Sequence, residues 1–332
     1  MYVKQTCNIE LAGMYRLRGL HSVEIKKSVH QIVQSAKLEL PLSVMFQNPV
    51  LQTDEPVRLL DKIKVGNTIK IDLGYDGNNR TEFTGYIKRI NLKQPLELEC
   101  EDEMYLLRKI IYKTNFKKAQ VRDVVKYILA KLNETYNTGI ELYDNIPDLT
   151  VTNFMLDNVN GIEALQALAD TYIIYSYLTT INKKKVLYCG LLYGLKRGDI
   201  NYHVNKNTIS VDDLKYDEKD VGDHYVNITN IKNDGSAYKF SYGNKKDTAF
   251  NFQYNGDYTE AQLKYMANAE LAKKVTGYRG TIETFLIPNV EPGNIAVITD
   301  EQFKRNGSGY VGSVTTTFGS GARRKPEIDI SL

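Results

Sequence analysis

Alternation of apolar and polar residues is the feature that most constrains the fold of this chain. Residues 36–40, 69–73 and 96–100 each place an apolar residue at every second position. Period-two alternation predicts strands with one buried and one solvated face, which excludes a fully buried parallel sheet. Glycines and asparagines at 74–79 predict a reversal, and a returning strand follows at 83–90. Residues 1 to about 108 are therefore predicted to form an antiparallel β-barrel or sandwich.

The apolar pattern changes to a helical period between residues 109 and 202. One stripe with the spacing of an amphipathic helix consists of Val121, Val124, Val125, Ile128, Leu129 and Leu132. A second helix is predicted after Asn160, which can cap it while Glu163 reaches back to the cap. Two β-rich segments, 173–178 and 186–189, flank a turn at 182–185. This part of the chain is predicted as a small α+β domain.

Strand patterns return after residue 203. The segment 225–231 is predicted as a strand, and Thr259 with Gln262 forms a capping box before a helix at 263–271. Pro292 and Gly293 predict a turn, and strands are predicted at 295–298, 310–318 and 328–332. The second half is thus predicted as a β-domain that carries an inserted helical segment. The predicted fold class of the whole chain is α+β and β-rich.

Composition excludes several classes of protein. At 332 residues the chain is long enough for two or three domains, and it has no apolar run of the roughly 20 residues that a membrane span needs. Polar residues follow the N-terminus too closely for a secretory signal, so folding in the cytoplasm is expected. A net charge of +3 is too small to predict nucleic-acid binding. The 24 tyrosines suit strands and contact surfaces.

Residues that could carry chemistry are sparse. Cys7, Cys100 and Cys189 are odd in number and far apart, which predicts buried thiols rather than disulfides or a zinc site. The histidines show no close spacing that would place two imidazoles on one metal, and they are His21, His30, His203 and His224. No nucleophile or metal-hydrolase motif is present. The sequence therefore predicts a protein without catalytic, cofactor-binding or metal-binding residues.

The densest carboxylate cluster lies at the end of the third alternating segment. It consists of Glu97, Glu99, Glu101, Asp102 and Glu103. Such a cluster could bind calcium or supply an acid/base pair. Strand alternation explains it more simply, because glutamates two positions apart share the solvated face of a strand.

The segment 319–325 combines glycines with three cations and could in principle cradle a phosphate or contact a nucleic acid. A phosphate cradle needs a helix N-terminus directly after the glycines, whereas Pro326 and a predicted strand follow here. A turn with a solvated basic tip is the favoured interpretation.

The order of these elements resembles that of the baseplate hub family of contractile phage tails. This family includes Mu-like tail proteins, late-control D proteins and the N-terminal part of VgrG spikes. The resemblance spans nearly the whole chain, and the segments that carry it are 38–41 (LELP), 65–71 (VGNTIKI), 83–87 (FTGYI), 161–169 (GIEALQALA), 292–294 (PGN) and 310–318 (YVGSVTTTF).

The resemblance implies two antiparallel β-barrels with two small α/β inserts. The first barrel would be 1–108, the second would be discontinuous at 203–232 and 278–332, and the inserts would be 109–202 and 233–277. Three chains would form a homotrimeric ring that presents a pseudo-sixfold face to the tail tube protein and a threefold face to a spike. The chain stops at Leu332 without a spike domain, so a separate spike protein is expected.

The same resemblance implies baseplate wedge proteins as further partners and a place in the virion tail baseplate, after synthesis in the cytoplasm of a bacterial host. Neither membrane insertion nor sequence-specific nucleic-acid binding is implied. Unpaired backbone groups at strand edges are natural contacts in a ring. The predicted subunit contacts are Ala36, Leu38, Leu40, Val311, Ser313, Thr315 and Thr317. The simpler alternative is that these strands pair only within their own barrel.

Two other functions remain open at the level of sequence. A carbohydrate-binding or adhesion module is compatible with the tyrosine content. A glycosidase-like hydrolase could use carboxylates from 97–103, or Asp212 and Asp213.

Overall fold

The computed structural model describes residues 3–47, 54–217, 225–243, 249–272 and 277–332. The α-helices are α1 (Val121–Tyr136), α2 (Gly161–Tyr172) and α3 (Glu260–Ala272). The strands are β1 (Gln5–Leu11), β2 (Tyr15–Leu17), β3 (Ser22–Ser28), β4 (Ser35–Leu40), β5 (Ser43–Gln47), β6 (Asp54–Arg58), β7 (Thr68–Tyr75), β8 (Asn78–Asn91), β9 (Leu96–Glu101), β10 (Ile111–Gln120), β11 (Glu141–Asn145), β12 (Thr150–Asn160), β13 (Tyr175–Ile181), β14 (Lys184–Gly190), β15 (Asp199–His203), β16 (Leu214–Asp217), β17 (Tyr225–Ile231), β18 (Ala237–Gly243), β19 (Ala249–Asn255), β20 (Gly277–Thr281), β21 (Ile295–Asp300), β22 (Arg305–Phe318) and β23 (Arg323–Ser331). The β-rich α+β fold class is confirmed.

The largest sheet contains thirteen strands from both ends of the chain. Its main order is β16, β20, β23, β22, β3, β4, β9, β8, β7, β1 and β2, while β21 pairs with β22 and β15 pairs with β21. The junction lies between β3 and the C-terminal part of β22, which pair antiparallel. Strands of both predicted barrels thus belong to one sheet. That the two parts close as separate barrels stays a prediction.

The two parts of this sheet repeat the same strand order. The first half runs β3, β4, β9, β8, β7 and β1, and the second half runs β16, β20, β23, β22, β21 and β15. Each half has at its centre a meander of three consecutive strands, β7 to β9 in the first and β21 to β23 in the second. The last pair differs, because β1 is antiparallel to β7 whereas β15 is parallel to β21.

Matching backbone details fix how the two halves align. Gly66 has φ +89° and its N–H donates to the carbonyl of Ile87 at 2.8 Å, while Gly293 has φ +95° and its N–H donates to the carbonyl of Val311 at 2.8 Å. The cross-strand register of β8 and of β22 shifts directly after these two acceptor residues. A bulge of this kind inserts one extra residue and bends its strand. Ile87 and Val311 are therefore structurally equivalent.

The first half encloses one apolar core, which includes Ile9, Leu38 and Ile71. The second half has its own, which includes Tyr202 and Ile298. In the first half, the apolar residues at alternate positions of 36–40, 69–73 and 96–100 are all buried, as the sequence pattern predicted, because side chains of a strand point to opposite faces in turn.

The segments outside the large sheet share a third core. The helices α1 and α2 pack with β10 and β12, and the predicted capping box of α2 is confirmed by Asn160 and Glu163. The capping box of α3 is also confirmed, since the Thr259 N–H donates to Gln262 Oε1 at 2.7 Å. Helix α3 packs on β17 and β18, and its apolar face joins the same core as α1 and α2.

The position of β17 corrects one predicted boundary. Residues 225–231 were assigned to the second barrel, but β17 pairs with β18 and β19 in a separate three-stranded sheet. Val226 and Ile228 are buried in the core formed with α1 and α2 rather than in that of the large sheet. Period-two alternation marked the strand correctly but carries no information about which sheet it joins.

Candidate assembly surface

A polar face extends without interruption across the junction of the two half-sheets. It spans β23, β22, β3, β4, β9 and β8, whose opposite faces carry the apolar cores. One row of side chains in cross-strand register consists of Arg323, Thr317, Glu24, Lys37, Glu99 and Arg89. Oppositely charged neighbours in such a row stabilise a sheet. The row is a balanced array of charges, which suits a solvated surface better than the binding of one ion.

The carboxylates of 97–103 are engaged within this array. Glu97 lies 2.8 Å from Lys37 Nζ and 2.6 Å from Lys93 Nζ, and the Arg89 guanidinium lies 2.6 Å from Glu99. Hydrogen bonds from Lys37 and Lys93 lower the pKa of Glu97 to about 2. Arg108 lies 2.7 Å from Glu101. Glu97, whose pKa is lowered in this way, is a poor general acid, which weakens the hydrolase hypothesis.

Asp102 is the exception, because its carboxylate is buried. Its oxygens accept the N–H groups of Gln34 at 3.2 Å and Met104 at 3.1 Å, and the latter bond caps the 3-10 helix Glu103–Lys109. Burial, and after it the charge of Glu103, raises the pKa of Asp102. Its contacts are those of a structural cap at the exit from the first half-sheet.

Ion pairs also cross a cleft of about 500 Å³ where the half-sheets meet the α+β region. Lys185 of β14 pairs with Glu103, and Lys27 of β3 lies 2.9 Å from Glu291. Burial is the largest single influence and raises the pKa of Glu291, but the charge and hydrogen bond of Lys27, together with the charges of Arg197 and Arg324, lower the pKa overall. These pairs connect three parts of the chain that are distant in sequence.

The most buried ion pair in this region joins Arg324 of β23 to Glu82 of β8. Their side chains are 1% and 5% exposed. The Arg324 guanidinium also donates to Asn289 Oδ1 at 2.7 Å. Because β8 and β23 belong to different half-sheets, this pair fixes one half against the other.

This pair corrects the prediction of a solvated basic tip at 319–325. The turn between β22 and β23 is present, with Gly319 at φ +148°, but Arg324 faces inward because side chains alternate along β23. Arg323 and Lys325 lie 3.1 Å and 2.9 Å from Glu283. Since all three cations are ion-paired, nothing here favours a phosphate or nucleic-acid site.

The histidines do not converge. His30 Nε2 lies 2.6 Å from Asp329 Oδ2, His21 directly precedes β3, His203 lies in β15, and His224 lies outside the described residues. In the part of the chain that the structure describes, no three metal-ligating side chains come together. No helix among the described residues is long and apolar enough to cross a membrane.

The predicted subunit contacts do not lie at free strand edges. β4 pairs with β3 and β9, and β22 pairs with β23 on one side and with β21 and β3 on the other. The apolar members of the set are buried, and they are Ala36, Leu38, Leu40 and Val311. The polar members, Ser313, Thr315 and Thr317, are half-buried. The premise of unpaired edges is wrong, because the strands that cover them come from distant segments.

A role for these seven residues in subunit contacts stays a prediction. Such contacts could not form through their backbone N–H and C=O groups, because those groups already pair within the chain. Several edges of the large sheet lack a partner strand among the described residues. Two of them are the outer edge of β16 and the part of β8 that follows Ile87, on the side facing away from β9. Leu92, a single apolar residue in a polar turn, follows the second of these edges directly.

Known structures share this fold. A tail protein from Neisseria meningitidis MC58 has a TM-score of 0.62 at 15% identity, over 99% of this chain and 97% of that one. The 43 kDa tail protein of prophage MuSo2 from Shewanella oneidensis has a TM-score of 0.60 at 11% identity, over 98% and 99%. An Escherichia coli component of the type VI secretion system, structurally similar to bacteriophage T4 tail proteins, has a TM-score of 0.59 at 11% identity, over 97% and 76%.

No known family model matches the chain, and no curated protein matches it in sequence. The identities to the solved structures are low, so the likeness concerns the fold. At that level the predicted resemblance to the baseplate hub family is confirmed, and the chain has the fold of phage tail proteins and of a type VI secretion component.

Proposed function

We propose that the chain is the structural baseplate hub of a phage-type contractile tail, acting as a homotrimeric ring. The observation that carries this proposal is the repeat of one six-stranded order within the large sheet. Three chains with two like halves each supply six similar units, which can meet a sixfold tube. The three first halves are identical to one another, as are the three second halves, but a first half differs from a second half. The other side of the same ring can therefore meet a threefold spike.

The proposed partners follow from this role. They are copies of the chain itself, the tail tube protein, a separate spike protein and baseplate wedge proteins, in a virion tail baseplate assembled from proteins made in the host cytoplasm. The fold shared with phage tail proteins supports this assignment. The proposed domains are those expected from the resemblance, except that β17 belongs with the inserted α/β segment.

The proposed role is non-enzymatic and needs no cofactor. In support, the carboxylates that could have formed a hydrolase site are held by cations on the polar face or cap a helix. A ring that transmits force between tube and spike needs rigid connections rather than chemistry. The buried pair of Arg324 and Glu82 is a connection of that kind.

The experiment that tests the proposal is a measurement of mass and shape for the purified full chain. We expect light scattering and native mass spectrometry to give three copies, and electron microscopy to show a ring with a central channel and six similar lobes around it. A strictly monomeric protein at high concentration would contradict the proposal, as would turnover of a glycan that is lost when a carboxylate of 97–103 is replaced.

A further inference from the structure

We propose that the free edge of β8 binds β16 of a neighbouring copy, antiparallel, in the way that β22 binds β3 within one chain. This inference rests on the ring of the proposed function and names the contact that closes it. It follows from the internal repeat, because one of the two equivalent junctions is satisfied within the chain and the other is not.

The acceptor edge is defined by the alignment of β8 with β22. In β22 the residues after the bulge pair with β3, from Ser313 opposite Ser28 to Phe318 opposite Val23. The corresponding residues of β8, which begin at Arg89, pair with β9 on one side. On the other side no strand of the described residues pairs with them. A strand edge left open in this way is a template for another strand.

The donor strand is defined by the alignment of β16 with β3. Ala36 of β4 lies opposite Cys100, and Gly280 of β20 lies opposite Ile328 at the matching place in the second half. Ile25 of β3 pairs with Ala36, and Leu214 of β16 pairs with Gly280. Leu214 therefore takes the place of Ile25. Like β3 in the first half, β16 is the outermost strand of its half, but its outer edge has no partner among the described residues.

Transferring the register of the internal junction gives the residue pairs of the proposed contact. Thr315 lies opposite Lys26 within the chain, which places Asn91 opposite Lys215 of the next copy. Thr316 lies opposite Ile25, which places Leu92 opposite Leu214. Leu92 is 77% exposed. The contact would cover it with an apolar partner.

Charges of opposite sign lie near the two edges. Lys88, Arg89 and Lys93 are exposed at the β8 edge, where each pairs with a glutamate of β9 within the chain. The chain around β16 is acidic, since Asp212 and Asp213 are exposed immediately before it. Lys93 follows the end of β8 by two residues, and continuing the transferred register would bring it toward Asp213, the counterpart of Glu24. Charged residues at a strand edge can also act to prevent pairing with another strand. That role would not require charges of opposite sign at the second edge.

The contact would be short, because the turn between β8 and β9 begins at Leu92 whereas β22 continues to Phe318. It would also be heterologous, since two different edges meet. Heterologous contacts form closed rings when the rotation between copies returns to the start. In a ring of three, every β8 edge and every β16 edge would be occupied.

A disulfide cross-link tests the register directly. We expect the double variant Asn91→Cys, Lys215→Cys to form covalent species up to the trimer on mild oxidation, seen on a non-reducing gel. Residues opposite each other on paired strands lie within the range of a disulfide. A cross-link within one chain would give no oligomers on the gel, and seven strand spacings of about 4.8 Å each separate β8 from β16 along the sheet.

The matched control is the double variant Lys26→Cys, Thr315→Cys, which places the same pair at the internal junction. It should oxidise within one chain and change gel mobility without forming oligomers. The native cysteines are buried, and burial raises the pKa of the Cys189 thiol to about 12, so they should not react. Each single variant should remain uncross-linked.

A second variant probes the apolar contact. Leu92→Asp should weaken self-association by at least tenfold while leaving the circular dichroism spectrum unchanged, since the side chain is exposed in the single chain. Met14→Asp is the control, because Met14 is 71% exposed but lies in the turn after β1.

The outcomes separate this inference from the proposed function. A trimer by mass that neither cross-links through residues 91 and 215 nor responds to Leu92→Asp would overturn the β8 to β16 contact and leave the ring standing. A protein that stays monomeric, while the internal control oxidises normally, would overturn both.

Discussion

Arg324 shows how a single residue can hold the two halves of the molecule together. Its guanidinium is nearly inaccessible, and its charge is matched by Glu82 on a strand of the other half. An ion pair removed from water carries a large desolvation cost, so its members depend on each other. In the first half, the position equivalent to Arg324 is Leu96, which is also buried. The arginine therefore occupies a place that the fold can fill with an apolar side chain.

Glu82→Gln should lower the free energy of unfolding by about 3–5 kcal/mol, because it leaves the buried guanidinium without a counter-charge. Urea unfolding followed by circular dichroism measures this change. The double variant Glu82→Leu, Arg324→Leu should recover much of the loss, since both desolvated charges are removed. Arg323→Met, which removes a more exposed cation from Glu283, is the matched control and should cost no more than about 1 kcal/mol. Equal losses in the free energy of unfolding for Glu82→Gln and Arg323→Met would show that the buried pair contributes no more to stability than an exposed one.

The inward position of Arg324 was present in the sequence but hidden by its neighbours. Ala322, Pro326, Ile328 and Ile330 share its side of the alternating pattern, and all are buried with it. The prediction of a solvated tip followed the charge of three consecutive residues, whereas the period-two alternation places Arg324 on the buried side of β23. An arginine is tolerated at this buried position because Glu82 of β8 supplies the counter-charge. The two residues are 242 positions apart, so the sequence around Arg324 does not reveal its partner.

At the scale of elements, the meander of three strands is the unit that repeats. Its middle strand must approach the following strand closely before it bulges, and glycine makes this approach possible. Gly85 lies in β8 two residues before Ile87, and Gly309 lies in β22 two residues before Val311. A Cβ at Gly85 would lie 2.1 Å from the carbonyl oxygen of Glu101, and one at Gly309 would lie 2.3 Å from Ile328 Cγ2. Both halves therefore have a glycine where the middle strand approaches its neighbour closely.

Gly85→Ala should therefore destabilise the protein by about 1–3 kcal/mol, since the nearest obstacle is backbone and β9 must shift to admit a methyl group. Thermal and urea unfolding measure the loss. Gly19→Ala is the control, because no atom lies within 4 Å of a Cβ at that position and its φ is not positive. If Gly85→Ala unfolds like the wild type, the close approach between β8 and β9 does not constrain the bulge.

The limits of sequence-based prediction also appear at this scale. Alternation and capping boxes predicted the strands and helices well, because both are local properties. Pairing partners were not accessible in the same way: β3 meets β22 across almost the whole chain, and β17 leaves the large sheet for β18 and β19. The repeat itself left weak traces, a Gly-Asn pair at 66 and 293 and a Gly-Tyr pair at 85 and 309, too short to be recognised without the backbone contacts.

At the scale of the whole molecule, backbone hydrogen bonds and ion pairs join the two half-sheets directly. Hydrogen bonds run from β22 to β3 without a break, and the ion pairs of Lys27 and Arg324 span the same boundary. The α+β region and the segment of β17 to β19 with α3 share a different core. We therefore expect the main mechanical division of the chain to lie between the sheet and the helical region.

We expect the two half-sheets to unfold in a single cooperative step, because separating them would expose both the β22 to β3 junction and a buried ion pair. Native-state hydrogen exchange with mass spectrometry on the full chain should give the same opening free energy for β7 to β9 and for β21 to β23. Glu82→Gln should lower both values equally. Ile228→Ala, which leaves a cavity in the core shared by β17 and the helices, should lower protection mainly around α1, α2 and α3. Loss of protection in one half-sheet while the other stays protected would show two independent barrels, and the rigid sixfold arrangement proposed for the ring would then have to come from contacts between chains alone.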